Sequence, residues 1–198
     1  MFTGLITALG QVHAISVAGG GARLVINAPA AWLSTAKIGD SIAVDGVCLT
    51  AESVNNDTFT VTLSAETLAR CAPWQNRQMV NLEQSLLIGD KLGGHFVSGH
   101  VEDCARILAV HQDGDPGRRL TVAPPAKLLP LLISKGSVTL AGVSLTVCDL
   151  QAAHFAVHLV PHTLATTNLG TLCPDDWVNL ETDILARHLA RLHNFAAF

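Results

Sequence analysis

Residues 39–50 read GDSIAVDGVCLT and residues 135–146 read KGSVTLAGVSLT, in register over twelve positions, with Cys48 of the first stretch replaced by Ser144 in the second. A match of that length makes the chain a tandem repeat. The echo extends in both directions. Glu66-Thr67-Leu68 returns as His162-Thr163-Leu164, and Val80-Asn81-Leu82-Glu83 returns as Val178-Asn179-Leu180-Glu181. The opening Thr3-Gly4-Leu5-Ile6 returns as Ser98-Gly99-His100-Val101. Each copy is long enough to be a domain with its own core, and two similar domains imply two similar binding sites.

Around the repeated core, apolar and polar residues alternate with period two between turn signals, the pattern of short antiparallel strands. Ser41–Val54 and Thr58–Ser64 flank Asn55-Asn56-Asp57, whose residues tolerate left-handed backbone, so a hairpin is expected there. Ser137–Leu150 and His154–Val160 form the equivalent pair around Gln151-Ala152-Ala153. Gly19-Gly20-Gly21 lies between strand-like segments and reads as a hairpin turn, not as a phosphate loop ahead of a helix. Brief helical signals follow prolines at Pro29–Thr35 and Pro124–Leu132. From Asp183 onward, Ile184, Leu185, Leu189 and Leu192 alternate with Arg187, His188 and Arg191 as an amphipathic helix, and its lone apolar stripe calls for a covering partner. Short strands with frequent turns favour closure, which removes exposed edges, so two small Greek-key barrels are expected.

With 49% apolar residues among 198, the chain can bury one sizeable core or two smaller ones without disulfides or metals. A net charge of −4 without a basic run argues against a nucleic-acid partner. Leu120–Ile133 is interrupted by Pro124, Pro125, Lys127 and Pro130 and cannot be an unbroken membrane span. The MFTGLITALG start lacks the basic leader of a signal peptide. Five cysteines, odd in number and without a CxxC pair, read as reduced thiols and point to the cytoplasm.

Cys48 and Ser144 share one repeat position, each followed by Leu-Thr. A cysteine in such a strand is ordinarily a small buried residue, but a polar or reactive group kept at the same place in both copies points to a nucleophile or hydrogen-bonding group. Gly93-Gly94-His95-Phe96-Val97-Ser98-Gly99-His100 straddles the repeat junction, with glycines that admit a ligand near the backbone and histidines that exchange protons near neutrality. The spacing of His95, His100 and Cys104 fits no standard structural zinc pattern. Lys135 reads by default as a surface lysine and Asp183 as a helix cap.

Taken together, MFTGLI, SIAVDGVCLT, GGHFVSGHVE, KGSVTLAGVSLTV, VPHTLATTNLG and VNLETD resemble the riboflavin synthase family over nearly the whole chain. The resemblance implies an all-β fold: two tandem, similar six-stranded Greek-key β-barrels at residues 1–95 and 96–186, then a C-terminal α-helix in a trimerisation tail at 187–198. It implies dismutation of two molecules of 6,7-dimethyl-8-ribityllumazine to riboflavin and 5-amino-6-(D-ribitylamino)uracil, with no metal and no redox cofactor. It also implies a homotrimer whose sites lie between the first barrel of one subunit and the second barrel of its neighbour.

By the same resemblance, the first pocket is expected to use Gly4, Leu5, Ile6, Cys48, Leu49, Thr50, Thr62, Leu63, Ser64, Ala65, Glu66 and Thr67. The second is expected to use Gly99, His100, Val101, Lys135, Ser144, Leu145, Thr146, His158, Leu159, Val160, Pro161, His162 and Thr163. Candidates for chemistry fall on Phe2, Ser41, Cys48, His95, His100, Lys135, Ser144 and Asp183. His100 is the first choice for proton transfer and Cys48 or Ser144 for the nucleophile or its positioning, with Lys135 stabilising negative charge and Asp183 orienting a neighbour.

The chain departs from the family pattern in the first copy. Ala69-Arg70-Cys71-Ala72-Pro73-Trp74 replaces a Thr-Asn-Leu-Gly turn that the second copy keeps as Thr167-Asn168-Leu169-Gly170, and Glu102 stands for the usual Asp. Thr62 and Ala65 also differ from the usual residues. The rival expectation is a non-catalytic lumazine- or flavin-binding protein of the same architecture. Retention of Cys48, His95, His100, Lys135, Ser144 and Asp183 favours the enzyme.

Overall fold

The computed structural model describes residues 1–112 and 116–195. The first repeat forms β1 (Ala8–Ala18), β2 (Gly21–Asn27), α1 (Ala30–Leu33), β3 (Ser41–Val44), β4 (Val47–Thr50), β5 (Ser53–Val54), β6 (Thr58–Leu63), α2 (Ala65–Arg70) and β7 (Met79–Gln84). The second forms β8 (Asp103–His111), β9 (Arg118–Ala123), a 3-10 turn at Ala126–Leu131, β10 (Ser137–Leu140), β11 (Val143–Leu150), β12 (Phe155–Leu159), α3 (Pro161–Thr166), a 3-10 turn at Asn168–Thr171, and β13 (Trp177–Thr182). The chain continues into α4 (Ile184–Phe195).

Both repeats close with one topology. The second barrel runs β10-β11-β12-β9-β8-β13 around the ring, and the first runs β3-β4/β5-β6-β2-β1-β7. Here β4 and β5 are two halves of the strand that is continuous as β11. The break falls at Ala51-Glu52, where the Ala51 amide turns to the Asp40 carbonyl and the Glu52 amide to the Thr60 carbonyl, each at 2.9 Å. Sequence neighbours pair as hairpins while β2 reaches across to β6, and β9 to β12, so the connections are Greek keys. Register shifts at Val12/Ala14, Ile107/Ala109 and Val147/Asp149 bend the strands toward closure.

Period-two alternation builds each core. Leu24, Ile26, Ile42, Val44, Phe59, Val61 and Leu82 fill the first barrel, and Ile107, Leu120, Val138, Leu140, Phe155, Val157 and Leu180 the second. Each such side chain contributes roughly 1.5–3 kcal/mol by leaving water. On β3 and β4 the opposite parity faces outward, which sets Ser41 and Ala43 beside Thr50 and Cys48 on the outer wall. Ser137, Thr139, Ser144 and Thr146 occupy the same places on β10 and β11.

The structure corrects several local expectations. The end of Ser41–Val54 pairs with β6 across Asn55-Asn56-Asp57 as expected, and that of Ser137–Leu150 with β12 across Gln151-Ala152-Ala153, but each stretch also turns within itself, at Asp45-Gly46 and at Ala141-Gly142. Left-handed backbone at all four residues makes these tight turns. Helices α2 and α3 were not expected; Ser64 caps α2 by accepting from the Thr67 amide, and Pro161 opens α3. The Pro124–Leu132 signal yields 3-10 rather than α-helix, with Pro130 inside it. Helix α4 begins at Ile184, ahead of the 187 boundary, and residues 196–198 of the expected tail lie outside the described residues.

The barrels share a polar seam. Asp45, buried, accepts from the Asn81 amide, from Asn168 Nδ2 (both 2.8 Å) and from Trp74 Nε1 (3.0 Å). Asn81 Nδ2 donates to the Ala141 carbonyl, and Asn179 Nδ2 reciprocates to the Asp45 carbonyl, each at 2.9 Å. The departure at residues 69–74 is accommodated here: the Ala72 amide donates to Asn179 Oδ1 as the Asn168 amide donates to Asn81 Oδ1. Among the described residues, no helix is long and apolar enough to cross a membrane.

Candidate active site

The repeated Thr3-Gly4 and Ser98-Gly99 segments act as crossed straps. Each is held by a buried carboxylate of its own repeat. Glu83 on β7 accepts from the Thr3 amide and hydroxyl, both at 2.7 Å, and from the Gly4 amide at 3.0 Å. Glu181 on β13 accepts from the Ser98 amide at 2.8 Å and hydroxyl at 2.5 Å, and from the Gly99 amide at 2.9 Å. Each carbonyl then crosses to the other barrel: Gly4 accepts from the Ser144 amide and Gly99 from the Cys48 amide, both at 2.8 Å. A Cβ at Gly4 would stand 2.6 Å from Ser144 Cβ, and one at Gly99 would stand 2.5 Å from Cys48 Cβ, so only glycine passes these points.

This crossing reassigns two groups of expected residues. Gly4, Leu5 and Ile6, placed with the first pocket from sequence, run onto the second barrel, where Ile6 packs against the core. Gly99, His100 and Val101, placed with the second, run onto the first, where Val101 packs. A cleft of about 330 Å³ opens there, lined by Val47, Cys48, Glu66, Thr67, Arg70, Cys71, Gly99, His100, Val101, Glu102 and Arg187. Cys48 and His100 therefore share one wall, with the Ser64 and Thr67 hydroxyls joined at 2.9 Å at the head of α2. Glu66 pairs with Arg70 at 3.3 Å along α2. Leu49 and Leu63 are buried in the first core, Ala65 opens α2, and Thr50 and Thr62 are exposed residues of β4 and β6.

On the second barrel, His95 Nδ1 lies 2.7 Å from Ser144 Oγ, and its Nε2 lies 3.3 Å from Thr139 Oγ1. The His95 amide donates to the Thr3 carbonyl at 3.1 Å, tying the ring to the strap. Burial lowers the His95 pKa from its ordinary value, against the pull of the Asp183 and Glu181 charges. The ring thus meets a hydroxyl at each nitrogen, which pairs an ionisable base with the Ser144 hydroxyl. Asp183 caps α4, its Oδ1 accepting from the Leu185 amide at 2.9 Å. Thr146 and His158 are exposed on the same outer face, followed by Val160, Pro161, His162 and Thr163 at the head of α3, with Leu145 and Leu159 turned into the core.

Other expected residues stand apart. Phe2 is fully buried and packs with Val97 on Ala43 and Cys48, so it roofs the first site. Ser41 opens onto a separate cleft of about 730 Å³ with Thr3, Leu5, Trp32, Glu83 and Lys91. Lys135 occupies an exposed left-handed turn ahead of β10, at the end of the hairpin away from Ala141-Gly142. His95, and not His100, is therefore the histidine hydrogen-bonded to Ser144, and His100 lines the cleft with Cys48. Among the described residues, no group of three or more His, Cys, Asp and Glu side chains is placed to hold a metal ion. Glu83, Glu181, Thr139 and Arg187 were missed from sequence; a glutamate kept in both copies of an apolar strand was the available signal for the first two.

Two barrels built from one repeat and joined by crossed straps place the chain in the lumazine-binding class, and the lumazine binding domain family matches at residues 3–85 and 98–183. Solved structures of LumP share the fold. The complex with riboflavin superposes with a TM-score of 0.84 at 23% identity, covering 92% of this chain and 99% of that one. The complex with 6,7-dimethyl-8-(1'-D-ribityl) lumazine gives 0.82 at 22%, with the same coverage. The riboflavin synthase of Brucella abortus (strain 2308) is 40% identical over 202 residues, 98% of this chain and 99% of its own length. That of Photobacterium phosphoreum is 38% identical over 194 residues, 97% of this chain and 88% of its own length. The chain belongs to the riboflavin synthase family.

Proposed function

We propose that this protein dismutates two molecules of 6,7-dimethyl-8-ribityllumazine, moving a four-carbon unit from one to the other to give riboflavin and 5-amino-6-(D-ribitylamino)uracil. The observation that carries this reading is the pairing of two equivalent repeat positions with different chemical groups, Cys48 in a cleft with His100 and Ser144 hydrogen-bonded to His95. A reaction that uses one compound in two roles needs two similar pockets with unlike side chains. Neutral His95 takes the proton of the acidic 7-methyl group, directly or through Ser144. Cys48 activates or positions a nucleophile at the other ring, Asp183 tunes charge at His95, and Lys135 offers positive charge from its exposed turn ahead of β10. Much of the acceleration comes from holding two reactive rings in register. No metal or redox cofactor takes part.

The assembly is a cytoplasmic homotrimer, with the first barrel of one subunit facing the second barrel of the next. The exposed Leu185, Leu189 and Leu192 of α4 support an associating helix. A non-catalytic lumazine or flavin carrier is the second reading, favoured by the LumP fold. The altered loop at residues 69–74 does not add to it, because Ala72 and Trp74 spend their hydrogen bonds on the seam between barrels. Mixing purified protein with 6,7-dimethyl-8-ribityllumazine alone and following riboflavin absorbance tests the proposal. Steady riboflavin formation supports it; tight binding without turnover sinks it in favour of the carrier.

A further inference from the structure

We propose that Arg187 of α4 is a positioning residue for the first-barrel cleft, acting through the strap that covers Cys48. Its Nη2 lies 3.3 Å from Ser98 Oγ and 3.7 Å from Glu181 Oε1, the two groups that fix the strap over Cys48. Glu181 is 2% exposed, and the guanidinium supplies its nearby positive charge. Arg187 also lines the cleft with Cys48, Thr67 and His100, and its Nε is buried without a hydrogen-bond partner.

The first repeat has no arginine at the equivalent place. Glu83 holds the Thr3-Gly4 strap through the same three donors, but Ser85, Gly89 and the residues between them, which follow β7 as Asp183 and Arg187 follow β13, carry no cation. One strap is therefore clamped by a guanidinium from α4, whereas the carboxylate of the other, Glu83, feels the N-terminal ammonium instead. Where the Ser98-Gly99 strap sits decides where the Gly99 carbonyl meets the Cys48 amide and where His100 enters the cleft. A guanidinium fork can face a hydroxyl and a carboxylate together, which a lysine ammonium does less well. Helix α4 thus belongs to the first-barrel site as well as to any contact between subunits.

The inference rests on the lumazine-binding reading, and its test is read against the wild-type chain. Riboflavin, which is fluorescent and does not turn over alone, is titrated into wild type, Arg187→Gln and Arg187→Lys, alongside thermal unfolding and turnover of 6,7-dimethyl-8-ribityllumazine. The expected result for Arg187→Gln is loss of one class of flavin site with the other retained, and a fall in kcat on the order of 10²-fold. Arg187→Lys is expected to recover part of both and carries the test if the Gln variant does not fold. Unchanged binding in both classes, or equal weakening of both in a folded variant, would overturn the inference. A wild-type chain that neither binds flavin nor forms riboflavin would instead overturn the lumazine-binding reading itself.

Discussion

Gly46 and Gly142 meet back to back where the barrels touch: a Cβ on either would stand 2.7 Å from the amide nitrogen of the other. Each is the second residue of a β-hairpin turn, at φ +82° and +80°, and each is followed by a site strand. The contact therefore sets how Cys48 and Ser144 are presented to the opposing straps.

Gly142→Ala is expected to destabilise the protein by about 2–4 kcal/mol, combining a backbone clash with left-handed strain. Gly39→Ala is the control, since Gly39 has φ +92° but open space around its Cβ position. Its cost should be only about 1–2 kcal/mol. Urea midpoints for both variants check the difference, and equal losses would refute the contact.

Replacing His95 by Gln is expected to lower turnover by roughly 10²–10⁴-fold while the chain stays folded. Burial holds the His95 pKa below the ordinary 6.5, so the wild-type acid limb should fall below that pH, and it should vanish in the variant. A kcat/KM profile against pH decides; an unaltered acid limb in His95→Gln would assign it to another group.

Glu83 lies in the first barrel but anchors the strap that touches Ser144 in the second. Glu83→Gln should cost about 1.5–3 kcal/mol, the range for hydrogen bonds to a charged group, and should disturb the second-barrel cleft more than the first. Chemical shifts of Ser144 and Cys48 amides in the variant would show which cleft moves.

Burial pushes the Asp45 carboxyl up to about 6 from 3.8, against three N–H donors that favour its charge. With the folded value raised, the native state holds more protons than the unfolded chain between those pH values. Stability from this group is present below 3.8 and is lost as pH rises through about 6, by up to about 1.4 kcal/mol per pH unit. The stability gap between wild type and Asp45→Asn should therefore shrink with rising pH in this window. A widening gap would mean that the donors outweigh desolvation.

Truncation after Arg187 removes most of α4, including Leu189 and Leu192, and keeps both barrels and the Arg187 clamp. The product should be a folded monomer with little activity. An active monomer on a sizing column would rule out a site between subunits.

The repeat made the architecture legible: twelve matched residues around Cys48 and Ser144, together with period-two alternation, were enough for two like barrels, because strand faces are a local property of sequence. The Asp45-Gly46 and Ala141-Gly142 turns were equally local, though read over as strand. The grouping of site residues was not. Assigning Gly4, Leu5 and Ile6 to the first pocket follows chain order, whereas their hydrogen bonds and packing cross to the second barrel.

What the sequence alone determined is the pair of barrels, the shared repeat position of Cys48 and Ser144, and the likeness of the two openings. Only the tertiary structure decided which opening covers which cleft, that His95 rather than His100 meets Ser144, and that Arg187 reaches Ser98 and Glu181. The reason is physical. Alternation depends on neighbours in the chain, but a strap between barrels is set by long-range hydrogen bonds and by where two glycines leave room, and no periodicity encodes either.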